Sequence, residues 1–378
     1  MSFSELPLGE LYQVGNYIDT FALGHYARVL QACQVRTGHE IAFKVMRPEH
    51  RSNDGTPRWE ARAFINEADL LVRLATSRVP VELFDCGYLS AEGERPDGGE
   101  IVSFGTNVAA FHEQLYPFTA ERWRPYLALE LLPRHENLFY LMKPSAANAR
   151  RRLPSEEGIA LAMQFARFLR EAHDQRIVYL DHKLEHIYWD GVDLRIIDFN
   201  SSRLIETGTH TVDQFFVQDV HNLCVGILYP VFTGLSPKKG ALRPQPGSQA
   251  EVESRYAGVD SLDFGVEPGL SHALQELLQA GAQQELATIR DFSSRLEQIA
   301  VLHGWELPGL HTVPALRAAR EEVQAGLAEL RQGQDALRAA RERLVEAMIL
   351  DDINEDMEAE LRRLLAQIND ALNHRVIP

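Results

Sequence analysis

Apolar and polar residues alternate along residues 11–46, and many of the apolar ones are β-branched or aromatic. This two-residue period is typical of consecutive strands. The pattern changes over residues 58–75, where apolar side chains recur at the spacing of one helical face. The side chains on that face are Phe64, Ala68, Leu71 and Leu74. The first quarter of the chain is therefore predicted to contain strands followed by a helix.

Two short apolar runs, residues 81–88 and 126–132, predict two more strands. The polar stretch 91–125 between them carries the turn sequence Pro-Asp-Gly-Gly. Because turn residues concentrate there, this stretch is predicted to form an insertion or a long hairpin.

Helical spacing dominates the chain beyond residue 133. Ser155 is the predicted N-cap of a helix that runs to about Asp174. Two short strands are predicted around a turn at Asp190-Gly191: residues 187–189 and 194–197. Further helices are predicted near residues 214–233, 270–281 and 287–303. A small strand-rich lobe followed by a larger helical lobe is an α+β arrangement with a cleft between the lobes.

Charge and composition narrow the classes of function. The chain carries 38 lysine and arginine residues against 54 aspartate and glutamate residues, a formal net charge of −16. Such an acidic chain has no general attraction for phosphate backbones, so nucleic acid is not expected as a partner. The three cysteines form no CxxC pair and suit a reducing compartment. No signal-type segment and no uninterrupted apolar run of about 18 residues is seen, so a cytoplasmic protein without a membrane partner is expected.

Charged residues interrupt several of the apolar segments. Lys44 lies in the strand sequence IAFKVM, where an ammonium group is costly unless it meets an anion. Glu67, on the predicted helix, offers that anion. Further charged residues follow along the chain: Asp181 and Lys183 in YLDHKLEH, Asp198 in RIIDFN, and Asp219 at the start of a strongly apolar helix.

The order and spacing of these residues resemble the eukaryotic-like protein kinase superfamily, and residues 10–303 look like a divergent bacterial member. The resemblance implies a two-lobed fold, with an N-lobe over about 10–132 and a C-lobe over about 133–303. It implies that ATP binds in the cleft, with Lys44 on its phosphates and Glu67 paired with Lys44. The other nucleotide-binding residues implied by the resemblance are Gly24 of the glycine loop, Val29, Ala42, and the hinge residues Glu130 and Leu132.

For the reaction, the resemblance implies that Asp181 accepts a proton from the acceptor hydroxyl or orients that hydroxyl. Lys183 would contact the transferred phosphate, and Asp198 would bind Mg²⁺ or Mn²⁺. Asp219 would hold the catalytic loop from below, although an ordinary helix N-cap is the alternative for this residue. The implied function is ATP-dependent phosphoryl transfer to a protein or small-molecule hydroxyl, with a Ser/Thr protein kinase as the default class.

Three features depart from the family pattern. Gly24 is the one glycine left in the phosphate-binding loop, because alanines occupy the outer positions. Only 20 residues separate Asp198 from Asp219, and they contain no Ala-Pro-Glu motif, so the platform for a peptide substrate is short. His186 stands where the family has a metal-binding asparagine. An imidazole ligand would favour Mn²⁺ over Mg²⁺, and the alternative is a packed or hydrogen-bonded histidine without a metal.

These departures leave a second hypothesis open, a pseudokinase scaffold that binds nucleotide weakly or not at all and acts through its C-terminal helices. Leucine or valine recurs every seven residues from Leu316 to Leu344, and a second apolar stripe follows it. The second stripe consists of Leu361, Leu364, Leu365, Ile368 and Leu372. After a linker at 304–311, residues 312–374 are therefore predicted to form a helical hairpin or coiled coil, which pairs within the chain, forms a dimer or docks a partner.

Overall fold

The computed structural model describes residues 4–18, 26–142, 151–206, 212–236 and 248–304, parts of 326–345, and residues 355–373. The chain divides into two compact units, Met1–Trp305 and Glu306–Pro378. The first unit combines an antiparallel sheet with a helical region, so the predicted α+β class is confirmed.

Among the described residues, seven strands form one antiparallel sheet, and four more form two-stranded pairs. The sheet strands are β1 (Leu6–Pro7), β2 (Tyr12–Tyr17), β3 (Ala27–Gln34), β4 (Glu40–Met46), β5 (Leu83–Leu89), β6 (Glu100–Ser103) and β7 (Arg124–Glu130). Their order across the sheet is β1-β6-β5-β7-β4-β3-β2. The two pairs are β8 (Ile177–Val178) with β11 (Arg203–Leu204), and β9 (Ile187–Trp189) with β10 (Leu194–Ile196).

Helices make up most of the rest of the first unit. The α-helices are α1 (Leu8–Leu11), α2 (Trp59–Arg73), α3 (Val108–Glu113), α4 (Leu115–Ala120), α5 (Leu138–Leu141), α6 (Ser155–Asp174), α7 (Val212–Asn222), α8 (Tyr229–Thr233), α9 (Gln249–Glu253), α10 (His272–Ala282) and α11 (Ile289–Leu302). A π-helical segment, Leu223–Leu228, joins α7 to α8. Short 3₁₀ turns lie at Pro48–His50, Ala75–Ser77, Arg134–Glu136 and Leu184–His186.

The predicted strands and helices of the first unit are present within a few residues of their expected positions. The N-cap prediction for Ser155 is wrong, because Ser155 is the first residue inside α6 and Pro154 occupies the cap position without a side-chain cap. Proline has a fixed φ, and this φ (−52° at Pro154) already directs the chain into the helix.

The insertion 91–125 is more structured than a hairpin. It contributes β6 to the sheet and the helices α3 and α4 beside it. Aromatic side chains hold these helices, since the rings of Phe111 and Phe118 lie 4.9 Å and 4.7 Å from that of Tyr88 on β5. The insertion therefore buries its own aromatic core against one end of the sheet.

Among the described residues, backbone hydrogen bonds join the sheet to the helical region at one point. The Val81 amide donates to the Ile196 carbonyl at 3.0 Å, and the Ile196 amide donates to the Val79 carbonyl at 2.9 Å. Next to this parallel bridge, the Arg195 guanidinium donates to the Glu130 carboxylate and to the Pro80 carbonyl. The end of β7 is thus tied to β10.

Within the described residues, one helical stretch, Asp213–Thr233, is long and apolar enough to cross a membrane by length and composition, with a mean hydropathy of 1.3. The fold buries 78% of its most apolar window. Such burial is the pattern of a core helix in a soluble protein.

The second unit is described by its helical pieces. Residues 336–345 are mostly helical, and α12 spans Glu355–Asn373. The described members of the predicted apolar stripe on α12 are half-buried: Leu361, Leu364, Leu365 and Ile368. Residues 312–325 and 346–354 lie outside the described residues, so the hairpin or coiled coil stays a prediction.

Replacing Gly87 with alanine is expected to destabilise the first unit by about 1–3 kcal/mol. A Cβ at Gly87 would lie 1.9 Å from the carbonyl oxygen of Val102 on the neighbouring strand β6, and a backbone atom cannot rotate away. Gly9→Ala is the matched control, because a Cβ there meets nothing within 4 Å. Urea unfolding monitored by circular dichroism measures both variants, and equal stabilities would contradict the assigned register of β5 and β6.

Candidate active site

A cavity of about 960 Å³ is lined by residues from both the sheet and the helical region. Its walls include every predicted site residue that the structure describes: Val29, Ala42, Lys44, Glu67, Glu130, Leu132, Asp181, Lys183, His186 and Asp198. Gly24, the predicted glycine-loop contact, lies outside the described residues. The cavity therefore brings together side chains that are far apart in sequence.

Lys44 lies between two carboxylates. It projects from β4, which lies between β3 and β7 in the sheet, and its Nζ is 2.6 Å from Oε2 of Glu67 on α2 and 2.9 Å from Oδ1 of Asp198. Burial alone would lower the pKa of Lys44, but the charges of Asp198 and Glu67 outweigh it and raise the pKa above its usual range. The ammonium group therefore stays charged at the cavity wall.

The two carboxylates differ in their surroundings. Glu67 is completely buried, and burial raises its pKa despite the nearby Lys44. Asp198 retains 25% side-chain exposure toward the cavity. Burial would raise the pKa of Asp198, but the positive charge of Lys44 and the contact with His186 hold it well below its usual value. Asp198 is therefore the ionised carboxylate that is accessible to a ligand.

The loop that carries Asp181 is fixed from below by Asp219 of α7. The Asp219 carboxylate accepts hydrogen bonds of 2.8 Å from the backbone amides of Tyr179 and Leu180, and His173 Nε2 lies 3.0 Å from it. Leu180 has a φ of +66°, a left-handed conformation that costs roughly 1–2 kcal/mol in a non-glycine residue. The paired amides offset this cost, so Asp219 holds the loop rather than capping its own helix.

Asp181 is surrounded by basic groups. Its Oδ1 accepts a hydrogen bond of 2.6 Å from Arg255, whereas Oδ2 lies 3.3 Å from Lys183 Nζ and 3.6 Å from His186 Nδ1. Burial would raise the pKa of Asp181, but Lys183, His186 and Arg255 lower it below its usual value. The carboxylate is therefore ionised at neutral pH.

His186 bridges the two aspartates of the cavity. Its Nε2 lies 3.1 Å from Oδ2 of Asp198, and its other ring nitrogen faces Asp181. One ligand atom from each of Asp181, His186 and Asp198 lies within 4.8 Å of the others. Two carboxylates and an imidazole at this spacing are a donor set that fits Mn²⁺ or Mg²⁺.

The two predicted hinge residues, Glu130 and Leu132, differ in whether their backbone groups are free to form new hydrogen bonds. The Glu130 amide already donates to the Glu82 carbonyl at 2.9 Å, and its carboxylate binds Arg195. Leu132 is half-buried at the cavity wall, and its backbone forms no hydrogen bond with any residue that the structure describes. Of these two residues, Leu132 therefore has the backbone groups that are free to hydrogen-bond a ligand in the cavity.

Sequence reasoning did not anticipate two residues near this cavity. Arg255 and His173 pair with Asp181 and Asp219, and neither belongs to a recognisable motif. Tyr26 also lines the cavity, and its ring is buried against Trp59 and Phe64, with ring centroids 5.2 Å and 6.0 Å away. These contacts join distant segments and leave no local pattern.

Comparison with known proteins found no matching family model and no significantly similar curated protein. The functional argument for this chain consequently rests on the geometry of its own residues.

Asp219→Ala is expected to lower the free energy of unfolding by about 3 kcal/mol, because two buried amides lose their acceptor. Asp213→Ala, an exposed position on the same helix, is the control and should have little effect. Denaturant unfolding of both variants measures the difference.

The Asp219 contribution should also depend on pH. His173 and His182, together with the amide donors, outweigh burial and lower the pKa of Asp219. Stability from this group is therefore present above the ordinary aspartate pKa and is lost as pH falls through the lowered pKa. The wild type should lose more stability than Asp219→Ala across that range, and parallel pH profiles would contradict the assignment.

Proposed function

We propose that the protein is an ATP-dependent phosphotransferase with a protein-kinase-like fold, which transfers the γ-phosphate of ATP to a hydroxyl group. The observation that carries the proposal is the position of Lys44, in contact with both Glu67 and Asp198 inside a cavity that also contains Asp181. Asp198 lies 154 residues beyond Lys44, so the fold rather than local sequence creates this arrangement.

Each residue of the cavity has a role in this reaction. Lys44 would bind the phosphates, held in place by Glu67, and the Leu132 backbone would meet the adenine ring. Val29 and Ala42 line the same cavity from β3 and β4. Val29 and Ala42 supply apolar surface for the base, and the small Ala42 side chain leaves space for its ring.

The transfer step uses the acidic residues. The acceptor oxygen forms a bond to the γ-phosphorus, the bond from that phosphorus to ADP breaks, and the hydroxyl proton passes to Asp181. Lys183 Nζ, 3.3 Å from Asp181, supplies positive charge near the transferred phosphate. Asp198 and His186 would hold the metal. Bound Mg²⁺ or Mn²⁺ would neutralise part of the phosphate charge.

A titration with ATP in the presence of Mg²⁺, Mn²⁺ or EDTA tests the proposal. ATP should bind in the micromolar to millimolar range, more tightly with metal, and adenosine should compete for the same site. Turnover is then measured as ADP formation with water, casein or small polyhydroxy compounds as acceptors. Turnover with any of these acceptors would support the proposal, and failure to bind ATP would contradict it.

A pseudokinase scaffold is the second candidate, and the position of His186 favours it. The imidazole of His186 already contacts both aspartates that would bind a metal. Its ring nitrogens lie 3.1 Å from Asp198 and 3.6 Å from Asp181. If no metal supports ADP formation, the scaffold hypothesis replaces the enzyme hypothesis.

His186→Asn is expected to change the metal preference from Mn²⁺ toward Mg²⁺ by about tenfold, the scale on which ligand-site changes alter metal affinity. An amide oxygen is a harder ligand than an imidazole nitrogen, so Mg²⁺ gains most. The measurement is ADP formation as a function of each metal concentration. His272→Asn, at an 85% exposed position, is the control, and an unchanged metal preference in His186→Asn would show that His186 is not a ligand.

A further inference from the structure

Asp181 is held by an arginine from a distant part of the chain. Arg255 Nη2 donates to Asp181 Oδ1 at 2.6 Å, across 74 positions of sequence. The arginine side chain is 10% exposed and the aspartate side chain 4% exposed. This charged contact is therefore largely shielded from water.

Arg255 belongs to a segment that is anchored independently of Asp181. We call residues 248–256 the acceptor-side wall, since Ser248, Gln249 and Val252 line the same cavity as Asp181. Other contacts also fix this wall, among them Gln249 to the Ser201 carbonyl, Gln218 to the Glu253 carbonyl, Arg203 to the Glu253 carboxylate, and the Tyr256 hydroxyl to the His182 carbonyl at 2.6 Å. The wall therefore does not need the Arg255 contact to stay in place.

The Arg255 contact is also costly. Burying a guanidinium costs free energy unless its donors are satisfied, and Arg255 Nε has no hydrogen-bond partner among the described residues. A contact that the wall does not require, and that leaves a buried donor unpaired, is better explained by its effect on Asp181.

Because of this contact, the two oxygens of Asp181 have different partners. Arg255 binds Oδ1, whereas Oδ2 faces Lys183 and His186. An arginine is suited to this task because its planar group fixes the orientation of a carboxylate better than a lysine does.

We propose that Arg255 is a positioning residue for phosphoryl transfer, which fixes the Asp181 carboxylate so that Oδ2 faces the acceptor hydroxyl. The inference rests on the proposed function. Arg255 is not among the residues that line the cavity, so its loss should slow the transfer step and leave ATP binding intact.

The test compares ADP formation by full-length variants, with Mn²⁺ and with water and casein as acceptors. Arg255→Ala should lower kcat roughly 10- to 100-fold, the cost of a misplaced catalytic group, with KM for ATP changed by less than about twofold. Arg255→Lys should recover part of the lost kcat, since it restores the charge without the planar group. Arg203→Ala is the control, because it removes an anchor of the wall without touching Asp181 or its loop, and it should keep kcat near the wild-type value.

A double-mutant cycle separates positioning from general damage. If Arg255 acts through Asp181, Arg255→Ala should have no further effect on the residual activity of Asp181→Asn. Wild-type kcat in Arg255→Ala, or an equal loss in Arg203→Ala, would overturn the inference while leaving the proposed function in place. If Arg255→Ala does not fold, Arg255→Lys becomes the test. A wild-type kcat in Arg255→Lys, or failure of that variant to fold, would then overturn the inference as well. An inactive wild type would instead remove the proposed function, and the inference with it.

Discussion

Replacing Asp198 with asparagine should lower ADP formation by about a thousandfold, the largest effect expected for a single charged group that stabilises the transition state. The amide preserves the shape of the side chain but removes the charge that faces both Lys44 and His186. Glu67 still pairs with Lys44 in this variant, so the fold and metal-free ATP binding should remain. Turnover with Mg²⁺ and Mn²⁺ is the measurement.

Asp193→Asn is the matched control for this variant. Asp193 is exposed in the turn before β10 and lies outside the cavity, so Asp193→Asn makes the same chemical change away from the site. It should retain wild-type turnover. If Asp198→Asn and the wild type had comparable turnover, Asp198 would not be a catalytic residue.

Lys44→Met should weaken ATP binding by about a hundredfold, which corresponds to the loss of charged hydrogen bonds worth nearly 3 kcal/mol. Adenosine carries no phosphate, so its affinity should be unchanged in the same variant. Calorimetric titration of both ligands measures this contrast. An equal loss for ATP and adenosine would show that Lys44 shapes the cavity rather than binding phosphate.

The same substitution should destabilise the fold, because Glu67 is left fully buried without its cation. Breaking such a pair costs roughly 3–5 kcal/mol. Lys44→Met combined with Glu67→Gln should recover most of this stability, since no buried charge remains unpaired. The double variant should still bind ATP weakly. This result would separate the contribution of the Lys44–Glu67 pair to stability from the role of Lys44 in nucleotide binding.

Local sequence patterns predicted the elements of this fold, and the sequence also singled out the Lys44–Glu67 pair, but other long-range polar contacts were not predicted. The alternation in residues 11–46 and the helical spacing in 58–75 follow from burial on one face, which leaves a periodic signal. Lys44 and Asp198 stood out because a charge within or just after an apolar run is unusual. Arg255 gave no such signal, since it lies in a polar stretch and its partner is 74 residues away.

The insertion shows a second limit of sequence reasoning. Residues 91–125 carry polar and turn residues, so the single strand β6 and the short helices α3 and α4 were not separated from the loops around them. Their stability comes from aromatic packing on Tyr88, a tertiary contact. His186 shows the converse, because the sequence singled it out while only the fold shows that it faces both Asp181 and Asp198.

The backbone bridge between Val81 and Ile196 gives the cavity a pivot. Because the sheet and the helical region are joined there by paired hydrogen bonds, we expect the cavity to open by rotation about this point rather than by separation of its walls. Rotation moves atoms in proportion to their distance from the axis, so contacts beside the bridge change least. The amides of Val81 and Ile196 should therefore be among the slowest in the first unit to exchange hydrogen with solvent, and they should remain protected when ATP is added.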